Sequence, residues 1–122
     1  MKLLHQSFDV PIYDAWIVLL YGPFEQANVY MKKRFSLESV IDRSNRARSW
    51  QTTDSKDRIA YVLWVGSSPK RDEMTLCNIC HETLHIAHFI LQTVGVRITN
   101  QEAVSYLQEY LFRECWKRIR RS

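Results

Sequence analysis

At 122 residues, 46% of them hydrophobic and 25% charged, the chain has the length and balance of one soluble globular domain. That composition excludes collagen-like, low-complexity and wholly disordered classes, and no apolar run approaches the roughly 18 residues of a membrane span. The net charge of +4 gathers in Lys32-Lys33-Arg34, in Arg43 to Arg48 and in Lys117 to Arg121; these clusters read as solvated faces and cationic helix ends, or as a phosphate-binding surface if they meet on one side.

The first residues, Met1 to Asp9, lack the apolar stretch of a secretory signal, and the three cysteines are an odd number, so a reduced, cytoplasmic setting is expected. Ala15 to Tyr21 is an aliphatic run closed by Gly22-Pro23, which predicts a buried strand ended by a turn, and a helix from about Phe24 to Phe35 follows. The polar stretch from Asp42 to Asp57 reads as a connecting loop. Ile59 to Val65 is rich in β-branched and aromatic residues and predicts a second strand, stopping at Gly66-Ser67-Ser68-Pro69. From Asp72 or Glu73 to Val94 there is neither Gly nor Pro, and Gly95 supplies the usual helix end, so one long helix is expected. Thr99 followed by Glu102 is a capping-box spacing that opens a last helix running to about Arg118. The expected order is strand, helix, strand, helix, helix: a single α+β domain over residues 1–122, with a small sheet packed on one side of a long central helix.

The long helix carries the chemistry. At about 100° per residue with His81 as zero, Asn78, His85, His88 and Gln92 all fall within about 60° of it, in one polar stripe. Leu76, Ile79, Cys80, Leu84, Ala87, Ile90, Leu91 and Val94 occupy an arc from about 160° to 300°, the side expected in the core. His81-Glu82-Thr83-Leu84-His85 is an H-E-x-x-H string, in which two imidazoles one turn apart converge on one zinc ion. Glu82, about 60° round from His85, is suited to act as general base on a water that the metal activates rather than as a ligand.

Catalytic zinc takes three protein ligands and leaves one position open. Glu102, in the first turn of the next helix beyond the Gly95 turn, is the candidate third ligand, against a purely local role as a helix cap. His88 lies about 10.5 Å along the axis from His81, too far for comfortable convergence, and is expected to line the cleft. Tyr106, one turn after Glu102, is a candidate donor to a developing oxyanion, or a packed tyrosine with its hydroxyl in solvent.

At these residues the chain resembles the zincin metallopeptidases, and within them the gluzincin-like group. The strand Ile59 to Val65, then His81-Glu82-Thr83-Leu84-His85, then Gln101-Glu102-Ala103-Val104-Ser105-Tyr106-Leu107 are similar to the strand, active helix and Glu helix of that group; Gln101 stands where an acidic residue often appears. The likeness spans roughly Ile59 to Leu111 and is shared in style with small phage- and prophage-encoded proteins. The metzincin extension is absent, since His88 and Leu91 stand where its Gly and His would fall. The resemblance implies a zinc-dependent hydrolase, a peptide or protein substrate, and pairing of an extended peptide along the edge of the strand Ile59 to Val65.

Other readings use the same residues. Cys77-Asn78-Ile79-Cys80-His81 also spells the C-x-x-C-H haem-attachment string, but both thiols are expected toward the core, where a porphyrin has no room. Cys77, Cys80 and Cys115 offer a structural zinc site, or plain core packing. A non-catalytic, phage-type interaction protein with an idle or structural metal site, or a basic nucleic-acid-binding surface, is the alternative function. Clustering of Lys32, Arg43, Arg46, Arg48 and Arg118 on one face would favour it over an open groove at His81 and His85.

Overall fold

A computed structural model describes residues 2–38, 40–67 and 73–122. Four strands and three helices form: β1 (Leu4–Val10), β2 (Ala15–Tyr21), α1 (Phe24–Phe35), β3 (Ala47–Thr53), β4 (Ile59–Val65), α2 (Glu73–Thr93) and α3 (Gln101–Arg120). The strands make one mixed sheet in the order β1-β2-β4-β3. The central pair β2 and β4 is parallel, with Trp16 opposite Ala60 and Tyr21 opposite Val65. β1 and β3 pair antiparallel on the outside.

The central strands are apolar along nearly their whole length because both of their faces are covered. Trp16, Val18, Leu20, Ala60, Val62 and Trp64 point to one side and pack with Ala27, Met31 and Phe35 of α1 and with Ile41. Ile17, Leu19, Tyr21, Tyr61, Leu63 and Val65 point to the other and pack with Ile79, Ile86, Ala87, Ile90 and Leu91 of α2 and Leu107, Leu111, Cys115 and Ile119 of α3. The architecture is therefore α+β, with the sheet in the middle and helices on both faces, not a sheet on one side of a central helix.

The helices fall where the periodicity puts them. α1 spans Phe24–Phe35 and ends on Ser36 in the left-handed conformation, φ 58°. α2 ends at Thr93; beyond it Gly95 adopts φ 82° and Val96 donates back to the Leu91 carbonyl at 2.8 Å, the closing geometry that a glycine allows without strain. α3 is capped by Asn100, whose side chain accepts from the Ala103 N–H, so the expected Thr99 box is displaced by one residue. No helix among the described residues is long and apolar enough to cross a membrane.

Two outer strands correct the reading. β1 and β3 were not expected, and β3 occupies much of the stretch read as a loop. Neither shows a clean polar–apolar alternation, and β3 (Ala47-Arg48-Ser49-Trp50-Gln51-Thr52-Thr53) holds few large apolar groups because it lies at an edge. In consequence β4 has a neighbour on each side and presents no edge to a peptide; the open edge beside α2 belongs to β3.

The apolar face of α2 is also turned from the expected arc. Its buried residues are Thr75, Ile79, Glu82, Thr83, Ile86, Ala87, Ile90 and Leu91, an arc from about 100° to 280°, while Leu84 and Val94 are exposed. Contrasting truncations test that rotation: Ile86→Ala is expected to destabilise by about 2–5 kcal/mol and Leu84→Ala by no more than about 0.5 kcal/mol in denaturant unfolding. Equal losses would restore the arc that the apolar residues alone define.

Candidate metal centre

The rotation of α2 sets the site. It turns Glu82 under the edge strand and leaves the histidine stripe facing outward. Glu82 is 7% exposed, one of three buried polar residues among those described. A buried carboxylate without a partner would be expensive, and here Ser49 of β3 donates its hydroxyl to Glu82 Oε1 at 2.8 Å. Ser49 alternates with Arg48 and Trp50 along β3, so the pleat that sends Trp50 to the α1 side sends Ser49 to α2. Glu82 Oε2 lies 3.9 Å from His81 Nε2.

His81 and His85 converge. Their Nε2 atoms are 3.1 Å apart, the ring centroids are 4.8 Å apart and the planes stand at 76°. Two nitrogens bound at about 2.0–2.1 Å to one tetrahedral zinc lie about 3.3 Å apart, a separation close to that of this pair. Without a metal the same contact needs one ring to donate and the other to accept. His85 stacks on Phe89, centroids 6.5 Å apart, so packing orients this ring. Both histidines are exposed, on a helix whose opposite side is fixed in the core.

The third expected ligand is not brought to the pair. α3 packs on α2 through the face that holds Gln108, whose amide donates to the Cys80 carbonyl at 2.9 Å. Glu102 lies about 120° and Tyr106 about 160° round α3 from Gln108, so both point away from the histidines. Glu102 is exposed, and Tyr106, 68% exposed, lines an apolar groove with Ile12, Tyr13 and Tyr110 beside the β1–β2 turn. Among the described residues no three His, Cys, Asp or Glu side chains gather as a metal-holding group. His88, half-buried two turns along the stripe, does not join either. Glu102→Gln is accordingly expected to leave zinc content unchanged by plasma mass spectrometry; a fall would mean that the first turn of α3 swings over to the site.

The cysteines separate rather than cluster. Cys77 and Cys80 are exposed, contrary to the expectation that they face the core, while Cys115 is buried and its thiol is pushed up to about 12 by burial. A thiol so hard to ionise is a poor metal ligand, and the geometry leaves Cys115 as core packing.

Lys32 and Arg48 lie on the α1 side of the sheet and Arg118 on the α3 side. Lys32 pairs with Glu38 beside α1. Arg118 pairs with Glu114 at 2.8 Å and stacks over Phe8 at the far edge of the sheet, while Arg48 donates to the Val40 carbonyl. The Glu114 carboxyl sits below the usual range, chiefly because Arg118 hydrogen-bonds to it. Arg46 alone of these lies by α2, at a cavity that also reaches Asn78.

Sequence signals for Ser49 were absent: it stands 33 positions from its partner in a stretch with no apolar pattern. No family model, curated protein or solved structure matches the chain.

Proposed function

We propose that the chain is a zinc-dependent hydrolase acting on peptides, with a zincin-like arrangement in which His81 and His85 hold the metal and Glu82 is the general base. The observation that carries this reading is the 3.1 Å approach of the two Nε2 atoms beside a buried carboxylate that a serine holds in place. When bound there, zinc would supply Lewis acidity and bring the ionisation of water into the neutral range.

The chain's own residues do the rest. Glu82, anchored through Oε1, keeps Oε2 on the side of His81, where it can take the proton of an attacking water and return it to the leaving amine. Ser49 fixes which oxygen does so. The open edge of β3, the strand that carries Ser49, offers backbone groups to an extended peptide, in place of β4. Two protein ligands would come from α2, and the remaining positions on the metal would be left to water or the substrate.

The nucleic-acid and interaction-protein alternative is the second reading: Lys32 and Arg48 lie together on the α1 side, while Arg118 is apart from them on α3. The direct test is hydrolysis of a quenched-fluorescence peptide library by zinc-loaded protein, with chelator as the control. Cleavage that chelator abolishes and zinc restores supports the reading; cleavage indifferent to chelator, or none at all from protein that holds zinc, defeats it.

A further inference from the structure

Where β3 begins, a cavity of about 310 Å³ opens beside the N-terminal half of α2, lined by Asn45, Arg46, Ser67, Met74, Thr75 and Asn78 among others. It adjoins the histidines: Asn78 stands three residues before His81, about 4.5 Å along the axis and on the same stripe. It also adjoins the edge strand, for Arg46 precedes Ser49 by three residues, about 10 Å in an extended chain.

Among the described lining residues Asn45, Arg46, Ser67, Thr75 and Asn78 can donate hydrogen bonds and none is acidic. Lys32, Arg58, Arg113, Lys117 and Arg118 each have a carboxylate partner. Arg46 is exposed, and among the described residues its guanidinium meets only the Met74 thioether, a weak acceptor, at 3.9 Å. Asn45 accepts the Asp42 N–H through Oδ1 at 3.0 Å, which leaves its Nδ2 to donate outward. The nearby Asp42 carboxylate is occupied by the Ser44 N–H at 2.8 Å. The Asn78 amide has no partner among the described residues. A guanidinium, two amides and the Ser67 hydroxyl around one cavity match the several acceptor positions of a carboxylate.

We propose that this cavity binds a carboxylate of the substrate, so that the site selects peptides acidic about three residues from the position held at Glu82. The carboxylate is either a peptide C-terminus or an Asp or Glu side chain. The word substrate rests on the hydrolase reading, but binding at the cavity does not.

The test is therefore binding in chelator, where hydrolysis plays no part. Four labelled hexapeptides of one alanine-based sequence are titrated by fluorescence anisotropy: one ending in a free carboxylate, its amide, and amidated versions carrying Glu or Gln. Wild type is compared with Arg46→Gln, an exposed substitution that keeps the backbone pairing, and with the remote control Arg113→Gln. At least one carboxylate peptide is expected to bind wild type about tenfold more tightly than its neutral partner, with the preference falling below about twofold in Arg46→Gln and unchanged in Arg113→Gln. Whichever carboxylate is favoured identifies the source. Equal affinities in wild type, absence of binding by all four, or a preference that survives Arg46→Gln would each overturn the proposal. Loss of hydrolysis or of zinc with the preference intact would count against the catalytic reading alone.

Discussion

Glu82→Gln is expected to lower peptide hydrolysis by about 10²–10⁴-fold while leaving zinc content and thermal stability close to wild type. Glutamine has the shape of glutamate, and its amide oxygen can still accept the Ser49 hydroxyl, so that contact is kept. What it lacks is the ability to take a proton. The histidines are untouched, so the metal remains. Steady-state rates beside plasma mass spectrometry read both halves at once. A variant that hydrolyses at the wild-type rate would remove Glu82 from the chemistry, and one that loses its zinc would make it a ligand instead.

His85→Ala is expected to lose both zinc and activity. The 3.1 Å bite exists only while both rings are present, and a single exposed imidazole cannot chelate. Stability should change by no more than about 0.5 kcal/mol, because His85 is exposed and contributes to neither apolar cluster. The ring contacts with His81 and Phe89 are forfeited. Circular dichroism and a denaturant midpoint establish that the fold survives, and metal content then reports on the site. Wild-type zinc content in a folded His85→Ala protein would sink the assignment.

Much of this was legible in the sequence, for reasons that particular residues make plain. Ala15 to Tyr21 and Ile59 to Val65 announce themselves because both faces of a central strand are covered and every position can be apolar. α2 is marked by its period and by Gly95, which the left-handed turn at φ 82° requires. His81 and His85 share a face by helix geometry alone, and the structure brings their rings together. The outer strands were silent because an edge strand owes its place to backbone pairing, and Ser49 and Gln51 are chosen for what lies across from them. The burial of Glu82 was hidden for the same reason. Leu84 and Cys80 pulled the expected apolar arc to one side, and only the position of β3 against α2 shows that the arc swings the other way. Glu102 could be placed in the correct turn of the correct helix, but the face it occupies depends on how α3 packs, which the contact of Gln108 with Cys80 decides.

Hydrolysis by this chain requires that the paired Nε2 atoms of α2 hold zinc. Wild-type protein, stripped by chelator, reloaded with zinc and dialysed, should carry one zinc per chain by plasma mass spectrometry, and the His81→Ala protein treated in parallel should carry none. Folded wild-type protein that returns without metal, or equal zinc in the two, would contradict it.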